Sequence, residues 1–436
     1  MQRDITTYDD ARSFFRPDLG DLHDPFLMKD MDKAVERLTR AMQKNEKILV
    51  YGDYDVDGTT SVSLVYKFLL QFYSNIDFYI PDRYNEGYGI SVKGINHAAQ
   101  NDFKLVIALD CGIKAVEKVK YATSLGVDFI ICDHHNPDDV LPAAIAVLDA
   151  KREDCNYPYK HLSGCGVGFK LMQAFAIVNE IDFQNLIPLL DLVALSIASD
   201  IVPITGENRI LAFYGIKQIN TNPSTGIKAI LEVCGLKDKE ISISDIVFKI
   251  GPRINASGRM KLATEAVELL VARDYGFAYK RSSTINVYNN DRKDLDKSIT
   301  DEAIAMIRAD QSYVDRKSIV VYKPDWHKGV IGIVASRLSE EYYKPTIVLT
   351  KSNGFASGSA RSVSGFDLYK AIETCRDLLE NFGGHMYAAG LTMKEENVEE
   401  FTRRFEQYVS DNILEDQTYP QIEIDAVLQF SDITPK

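Results

Sequence analysis

Acidic side chains and histidines stand at four places in the N-terminal half of the chain, each after an apolar run. The segments are GDYDVDG, ALDCG, ICDHHNP and ALSIASDIVP. The residues there that could do chemistry are Asp53, Asp55, Asp57, Asp110, Asp133, His134, His135 and Asp200. Carboxylate oxygens with a few imidazole nitrogens suit Mn²⁺ or Mg²⁺. Because so many acidic groups would repel each other without cations, the pattern predicts a divalent-cation site.

Each aspartate taken alone has a simpler explanation. A single Asp after an apolar run is usually a helix N-cap or a turn residue. Three alternating aspartates in GDYDVDG are more than one cap needs, and two adjacent histidines follow a different run. The joint pattern therefore favours a shared site over four separate caps.

Alternating strands and helices must position these residues. The predicted strands are 47–52, 76–80, 103–109 and 127–132, and the predicted helices between them are 61–71, 91–100 and 114–125. Buried strands that alternate with helices predict an α/β fold with a doubly wound parallel sheet. The carboxyl ends of parallel strands share one edge, where ligands bind. We therefore expect the four acidic segments to converge there.

The rest of the chain predicts three further regions. Residues 164–232 look helical, and 264–309 read as a long helical connector that is too charged on all sides to be a core helix. From residue 317 the pattern predicts a smaller α/β unit, with strands at 318–322 and 345–350, helices at 332–342 and 367–380, and a Gly/Ser-rich stretch at 352–365. A helix at 396–411 and a strand at 421–430 follow. The predicted domains are 1–260 (catalytic), 261–314 (connector), 315–415 (substrate-binding) and 416–436 (the start of a further fold or a tail).

Composition limits the class of protein. The 436 residues are 45% hydrophobic and 26% charged, which is ordinary for a globular protein. Neither a membrane span nor an export signal is evident, and the six cysteines lack C-x-x-C spacing, so we expect a reduced, cytoplasmic protein without a membrane partner. The net charge of −13 argues against electrostatic coating of nucleic acid and requires any nucleic-acid contact to use a local basic groove.

The four segments, in this order and spacing, resemble the signature motifs of the DHH phosphoesterases. The resemblance implies that Asp55, Asp57, Asp110, His134 and Asp200 hold metal, with Asp53 as a further ligand. It also implies that His135 contacts the scissile phosphate and that Asp133 orients a histidine. Two cations, Mn²⁺ (or Mg²⁺), would activate a bridging hydroxide for in-line attack on phosphorus.

Three further segments, PDRYNEGYG (81–89), GPRINASGR (251–259) and WHKGVIGIVASR (326–337), resemble the branch of this family that degrades single-stranded DNA. The segment GGHMYAAG (383–390) resembles the GGHxxAAG motif of the DHHA1 domain that accompanies these enzymes. The segment GSARS (358–362) offers hydroxyl groups and a guanidinium that suit a phosphate. Carried over residue by residue, the substrate-binding candidates are Arg83, Arg253, Asn255, Arg259, Ser359, Arg361, Gly384 and His385. A surface salt bridge is the commoner explanation for any lone arginine.

The resemblance implies a 5′-to-3′ exonuclease that hydrolyses single-stranded DNA to 5′-mononucleotides in DNA repair and recombination. Single-stranded DNA is the implied partner, with a single-strand-binding protein and a helicase as possible protein partners. Such enzymes usually continue into an OB-fold, of which residues 421–430 could supply the first strand. A groove between the domains, too narrow for a duplex, is the expected basis of strand preference.

Two alternatives remain open. One is a DHH/DHHA1 phosphodiesterase for oligoribonucleotides or cyclic dinucleotides, although those relatives typically lack the GPRINASGR segment. The other is a non-catalytic nucleic-acid-binding member of the superfamily, although every motif position here carries a side chain that can bind metal. Cleavage polarity on a long labelled strand separates the first alternative, and manganese titration separates the second.

Overall fold

The computed structural model describes residues 5–422 and 424–433. The chain divides into two compact units, the first ending at Asn289 and the second beginning at Asn290. The strands of the first unit are β1 (Lys47–Gly52), β2 (Ile76–Tyr79), β3 (Phe103–Leu109), β4 (Asp128–Cys132) and β5 (Ala146–Leu148). Its helices are α1 (Tyr8–Phe15), α2 (Met31–Gln43), α3 (Val56–Leu69), α4 (Val92–Gln100), α5 (Val116–Ser124), α6 (Gly164–Val178), α7 (Leu190–Ser199), α8 (Gly206–Thr221), α9 (Thr225–Val233), α10 (Ile243–Asp245), α11 (Gly251–Met260) and α12 (Thr264–Val271).

The strands of the first unit form one parallel sheet in the order β2-β1-β3-β4-β5. Alternate residues of β1 enter different apolar clusters, since Ile48 and Val50 pack on one face while Leu49 and Tyr51 pack on the other. Helices therefore cover both faces, which confirms the predicted doubly wound α/β fold. This strand order has its switch point between β1 and β3, where such sheets bind ligands.

One prediction for the first unit is wrong, and two of its elements were not predicted. Helix α3 begins at Val56, not at residue 61, so Asp57 lies in its first turn and not in a loop. Strand β5 was not predicted, because three residues are too few for a recognisable alternation. The GPRINASGR segment forms helix α11 and continues directly from a π-helix at Ile246–Ile250.

Helix α13 (Tyr275–Ala309) contains the division between the two units. The prediction that this segment is charged on all sides is wrong. One stripe of it is buried, and its members are Ala278, Ser282, Ile285, Asn289, Asp296, Ile299, Ala303 and Ile307. Their spacing of three or four residues, with one wider step between Asn289 and Asp296, is that of one helix face. Because several residues of the stripe are polar, such as Asp296, the sequence does not show the stripe as an apolar helix face.

The second unit is a five-stranded mixed sheet with helices. Its elements are α14 (Ser312–Asp315), β6 (Ile319–Tyr322), α15 (Ile331–Tyr342), β7 (Thr346–Ser352), β8 (Phe355–Arg361), α16 (Leu368–Glu373), β9 (Leu379–His385), β10 (Ala388–Met393) and α17 (Val398–Asn412). The strand order is β6-β7-β8-β10-β9, with β6 and β7 parallel and the other neighbours antiparallel. The predicted smaller α/β unit is thus confirmed.

Local predictions in this unit were less accurate. The Gly/Ser-rich stretch contains strand β8, because small residues pack beside Leu349 and Leu391 of the neighbouring strands. The helix predicted over 367–380 ends at Glu373. No strand forms at residues 421–422 or 424–430, and Glu423 of that prediction lies outside the described residues.

Candidate metal centre and phosphate-binding face

Three carboxylates surround one imidazole nitrogen at the carboxyl edge of the first sheet. His134 Nε2 lies 3.1 Å from Asp110 Oδ1 and 3.6 Å from both Asp57 Oδ2 and Asp200 Oδ2. His134 follows β4, Asp110 follows β3 and Asp57 follows β1. The edge therefore brings together side chains that are distant in sequence, as the strand-end argument predicts.

Asp57 is held in place by the start of α6. Its Oδ2 accepts a hydrogen bond from the amide of Gly164 at 2.7 Å, and its Oδ1 accepts one from the amide of Cys165 at 2.8 Å. The Ser196 hydroxyl group donates to Oδ1 at 2.7 Å. Backbone amides at a helix N-terminus bind a carboxylate, so Asp57 is fixed in position by the protein itself.

The other two aspartates of GDYDVDG also have local roles. Asp55 is the N-cap of α3 and accepts from the amide of Gly58 at 3.0 Å. Asp53 accepts from the amide of Gly89 at 3.2 Å through Oδ1, while its buried Oδ2 has no hydrogen-bond partner among the described residues. Capping and a shared acidic site are therefore compatible explanations of this segment.

Asp200 reaches the site from a helix, not from a strand. It is the C-cap of α7, and Ile201 after it has a φ of 58°. A β-branched residue rarely adopts this left-handed conformation, so the backbone turns sharply at the metal-facing end of α7. Asp110 also has a φ of 58°.

Burial and mutual repulsion raise the pKa values of several site carboxylates. Burial, with the charges of Asp57 and Asp55, raises the pKa of Asp200 to about 8. The same causes raise the pKa of Asp110 well above its ordinary value, and burial with the charge of Asp55 does so for Asp53. The pKa of Asp55 is raised by burial and by the charge of Asp57. Without cations the cluster therefore retains protons.

Asp133 and His135 form a hydrogen-bonded pair beside this cluster. His135 Nδ1 lies 2.7 Å from Asp133 Oδ1, whose other oxygen accepts from the amide of Ile113 at 2.9 Å. Burial opposes the charge on both groups, but their contact dominates: the pKa of Asp133 falls to about 2 and that of His135 rises to about 9. Asp133 thus binds the His135 imidazole at Nδ1, which is compatible with the orienting role that the resemblance implies.

The residues present fit divalent cations. Asp110 Oδ1, Asp53 Oδ2 and His134 Nε2 are buried without a hydrogen-bond partner among the described residues. His134 Nε2 and Asp110 Oδ1 are only 3.1 Å apart, yet they do not form a hydrogen bond. Such orphaned polar atoms are costly unless something binds them, and carboxylates with one imidazole are ligands that Mn²⁺ and Mg²⁺ accept.

Sequence reasoning missed three residues at this edge. The Tyr88 hydroxyl group lies 3.1 Å from His135 Nε2. Asp149 follows β5 and is buried, and its burial, with the charge of Asp133, raises its pKa to about 7. Ser196 contacts Asp57 from α7. Only Ser196 left a signal in the sequence, as a polar residue inside the apolar run before Asp200.

The arginine candidates of the first unit differ in their surroundings. Arg83 stacks on the ring of Tyr54, with its guanidinium carbon 4.7 Å from the ring centroid. The backbone oxygen of Arg259 accepts a hydrogen bond from the hydroxyl group of Tyr84, which joins α11 to the loop of Arg83. Arg83 and Arg259 therefore lie close to the acidic loop.

The other two candidates of α11 are placed differently. Arg253 bonds to Asn286 Oδ1 at 2.9 Å and to the Lys249 carbonyl at 2.6 Å, so its guanidinium has partners within the fold. Asn255 stands one helical turn before Arg259 and so shares its face.

In the second unit, Ser359 and Arg361 lie against the first turn of α15. A Cβ atom added to Gly332 would stand 2.9 Å from Ser359 Oγ and 3.3 Å from Arg361 Nη2. Arg361 Nη1 also donates to Ser359 Oγ at 3.1 Å. A helix N-terminus, a hydroxyl group and a guanidinium in contact suit a phosphate group.

His385 shares one sheet face with these residues. Ala388 of β10 pairs with Arg361 on one side and with His385 on the other, so the two polar residues flank it. Gly384 pairs with Ala389, one position along the strand from His385, so a side chain at Gly384 would lie on the opposite face of the sheet. A Cβ atom added to Gly384 would stand 2.3 Å from the Ala388 carbonyl oxygen. With a φ of 150°, Gly384 is required by the hairpin itself.

Two family descriptions match the chain. "DHH family, N-terminal domain" matches residues 47–197, and "DHHA1 domain" matches residues 315–411. The single-stranded-DNA-specific exonuclease RecJ of Escherichia coli is 36% identical over 402 residues, which is 88% of this chain and 70% of that protein. The chain belongs to the RecJ family. The predicted resemblance to the DHH phosphoesterases is thereby confirmed.

Other RecJ proteins support the same placement. The RecJ of Bacillus subtilis is 39% identical over 436 residues, which covers 100% of this chain but only 54% of that protein. The crystal structure of Thermus thermophilus RecJ in complex with Mn²⁺ has a TM-score of 0.80 and 27% identity, covering 92% of this chain and 57% of that one. An exonuclease RecJ bound to manganese has a TM-score of 0.78 and 29% identity, covering 90% and 96%. The chain therefore shares the RecJ fold, and it spans 54% of the Bacillus subtilis RecJ and 70% of the Escherichia coli RecJ.

Within residues 5–422 and 424–433, no helix of this RecJ-family chain has the length and apolar character needed to cross a membrane.

Proposed function

We propose that this chain is a metal-dependent exonuclease that degrades single-stranded DNA from the 5′ end to 5′-mononucleotides. The observation that carries the proposal is the convergence of Asp57, Asp110 and Asp200 on one buried imidazole nitrogen. The names of the RecJ relatives support the substrate and the reaction. The manganese and magnesium complexes of Thermus thermophilus RecJ support Mn²⁺ or Mg²⁺ as the cofactor, and two cations are the number that we propose.

The candidate ligands are Asp53, Asp55, Asp57, Asp110, His134 and Asp200. When bound, divalent cations would supply positive charge for the phosphate and lower the pKa of a water molecule. The chain itself holds the Asp57 carboxylate in position through the Gly164 and Cys165 amides, so this ligand is placed before a cation arrives. His135, held by Asp133, is the group that would donate to a phosphate oxygen.

Substrate contacts are proposed in each unit. In the first, Arg83 and Arg259 lie beside the acidic loop and would neutralise backbone phosphates. In the second, Ser359 and Arg361 at the start of α15 would hold a terminal phosphate, with His385 on the same sheet face. Arg253 is the weakest candidate, because its guanidinium already has partners in the fold.

We also propose a cellular location, two protein partners and a division into domains. The protein works in the cytoplasm, alongside a single-strand-binding protein and a helicase. Its catalytic domain, connector and substrate-binding domain cover residues 1–260, 261–314 and 315–415.

A polarity assay tests the proposed function. A long single strand, labelled at either end, is incubated with the chain and Mn²⁺ or Mg²⁺. We expect a 5′ label to be released at once as a mononucleotide. A 3′ label should instead stay on progressively shorter fragments. Cleavage of only di- to pentanucleotides or cyclic dinucleotides would reject the proposed exonuclease function in favour of the alternative phosphodiesterase function. No hydrolysis at any manganese concentration would indicate a binding protein.

Arg361→Met is expected to raise KM for a 5′-phosphorylated single strand by about tenfold to a hundredfold, because a charge-assisted hydrogen bond to phosphate is lost. A 5′-hydroxyl strand lacks that phosphate, so its KM should change little. Arg403→Met is the matched control, since Arg403 is an exposed arginine of the same unit paired with Glu400. Equal effects of Arg361→Met on both strands would mean that Arg361 does not bind the terminal phosphate.

A further inference from the structure

The imidazole of His135 is contacted at both ring nitrogens. Asp133 Oδ1 lies 2.7 Å from Nδ1, and the Tyr88 hydroxyl group lies 3.1 Å from Nε2. The Tyr88 ring stands edge-on to the imidazole, with 5.9 Å between centroids and an interplanar angle of 79°. Two contacts on opposite sides of a ring fix its rotation, whereas one contact leaves it free to swing.

The loop that carries Tyr88 is tied to the candidate metal site. Gly89 donates its amide to Asp53 Oδ1 at 3.2 Å and accepts from the hydroxyl group of Tyr51 at 2.9 Å. The Tyr88 hydroxyl group also reaches the Asp110 carbonyl at 3.4 Å. Tyr88 therefore stands in a fixed place relative to two candidate ligands.

The remaining contacts of Tyr88 do not explain its orientation by packing. Its side chain is 52% exposed, so little of the ring is held by the core. Tyr54 meets it edge-on at 6.2 Å. The exposed ring nevertheless directs its hydroxyl group inward, to a histidine that is itself 38% exposed. Because neither ring is enclosed, their mutual contact adds a restraint to those that Asp133 places on His135 and Asp110 places on Tyr88.

We propose that Tyr88 is a positioning residue: its hydroxyl group shares the Nε2 proton of His135 with the phosphate oxygen and so keeps the imidazole turned toward the substrate. The proposal rests on the proposed function, since His135 is assigned there to the phosphate. Tyr88 acts through His135, in the same way that partners outside a metal site orient its ligands. Removing the hydroxyl group leaves Asp133 as the single restraint on the ring.

Tyr88→Phe tests the proposal, because it removes the hydroxyl group and keeps the ring. We expect kcat on single-stranded DNA to fall by about tenfold to a hundredfold with KM unchanged, since misplacing a reacting group costs about that much. Manganese affinity, measured by titration without DNA, should not change. Tyr121→Phe is the matched control, because it also removes a tyrosine hydroxyl group of the first unit, one that donates to Asn96 and not to a residue of the acidic edge.

A second readout does not depend on hydrolysis. Diethyl pyrocarbonate acylates an accessible imidazole nitrogen, and mass spectrometry of the peptide locates the product. In metal-free protein, Tyr88→Phe should speed acylation of His135 by about fivefold to tenfold, the effect of losing one hydrogen bond, and leave His97 unchanged. Unchanged His135 acylation with unchanged kcat would overturn the proposal.

The two readouts separate failure of this inference from failure of the proposed function. If the wild-type chain lacks nuclease activity, the acylation rate still reports whether Tyr88 restrains His135. If hydrolysis is present but Tyr88→Phe raises KM and leaves kcat intact, Tyr88 contacts the substrate and does not position His135.

Discussion

Replacing Asp110 by asparagine is expected to lower the rate of single-stranded DNA hydrolysis by about a thousandfold or more. Asp110 Oδ1 lies 3.1 Å from His134 Nε2, so the change removes an anionic oxygen from the middle of the candidate site. Asparagine keeps the side-chain volume and tolerates the left-handed backbone that Asp110 adopts, with a φ of 58°. Steady-state hydrolysis at saturating manganese is the measurement.

Asp102→Asn is the control for this variant. Asp102 has a φ of 64° and precedes β3, whereas Asp110 follows the same strand. The control therefore makes the same chemical change in the same backbone conformation at the opposite end of the strand, and its activity should match wild type. Manganese titration should show weaker binding only for Asp110→Asn. Full activity of that variant would contradict the ligand assignment.

The metal-free chain is expected to lose thermal stability as the pH rises from 7 to 9. A carboxyl group with a raised folded-state pKa binds its proton more tightly in the folded chain than in the unfolded one. Its contribution to the free energy of unfolding therefore falls as the pH rises, until the pH passes the folded-state pKa. Asp200, at about 8, acts in this direction. His135, at about 9, loses its stabilising proton over the same range. Differential scanning calorimetry in a chelator measures the change in Tm.

Manganese should reverse this loss, because a cation replaces the protons that the cluster otherwise retains. At saturation we expect the Tm at pH 8 to rise by at least about 5 °C. In Asp110→Asn, one repelling charge is gone, so the metal-free Tm should depend less on pH and manganese should raise it less. A metal-free Tm that increases from pH 7 to 9 would show that repulsion does not govern this cluster. His134 does not obscure the result, since burial lowers its pKa and its effect lies at lower pH.

The residues of the acidic edge were predicted more accurately from the sequence than the helices and strands on which they lie. Asp57, Asp110 and His134 follow strands, and the rule that parallel strands end at one edge was enough to bring them together. Asp200 arrives from helix α7, which a short apolar run cannot distinguish from a buried strand. Its place in the cluster was predicted by treating this run like the other three, as a segment that ends at the sheet edge, although the run is a helix.

Residues that act through tertiary contacts left little trace in the sequence. The contact between Tyr88 and His135 joins positions 47 residues apart, and nothing in the local pattern indicates it. In the second unit, the sequence does not predict a strand at β8, because Gly358, Ser359 and Ala360 are poor strand formers. The larger Leu349 and Leu391 on the neighbouring strands fill the space that those small residues leave. Local propensity was overridden by packing that only the fold reveals.

The anchoring of Asp57 determines what emptying the cation site does to the fold. Two amides at the beginning of α6 and one serine hydroxyl group already share its oxygens, so this carboxylate keeps its place when no ion is present. In a chelated sample, the chain around Asp57 should therefore keep its conformation. Manganese should then bind without any segment having to order first. Truncating Asp57 would instead loosen a helix as well as the cation site, which makes Asp110 the better position for studying catalysis separately from folding.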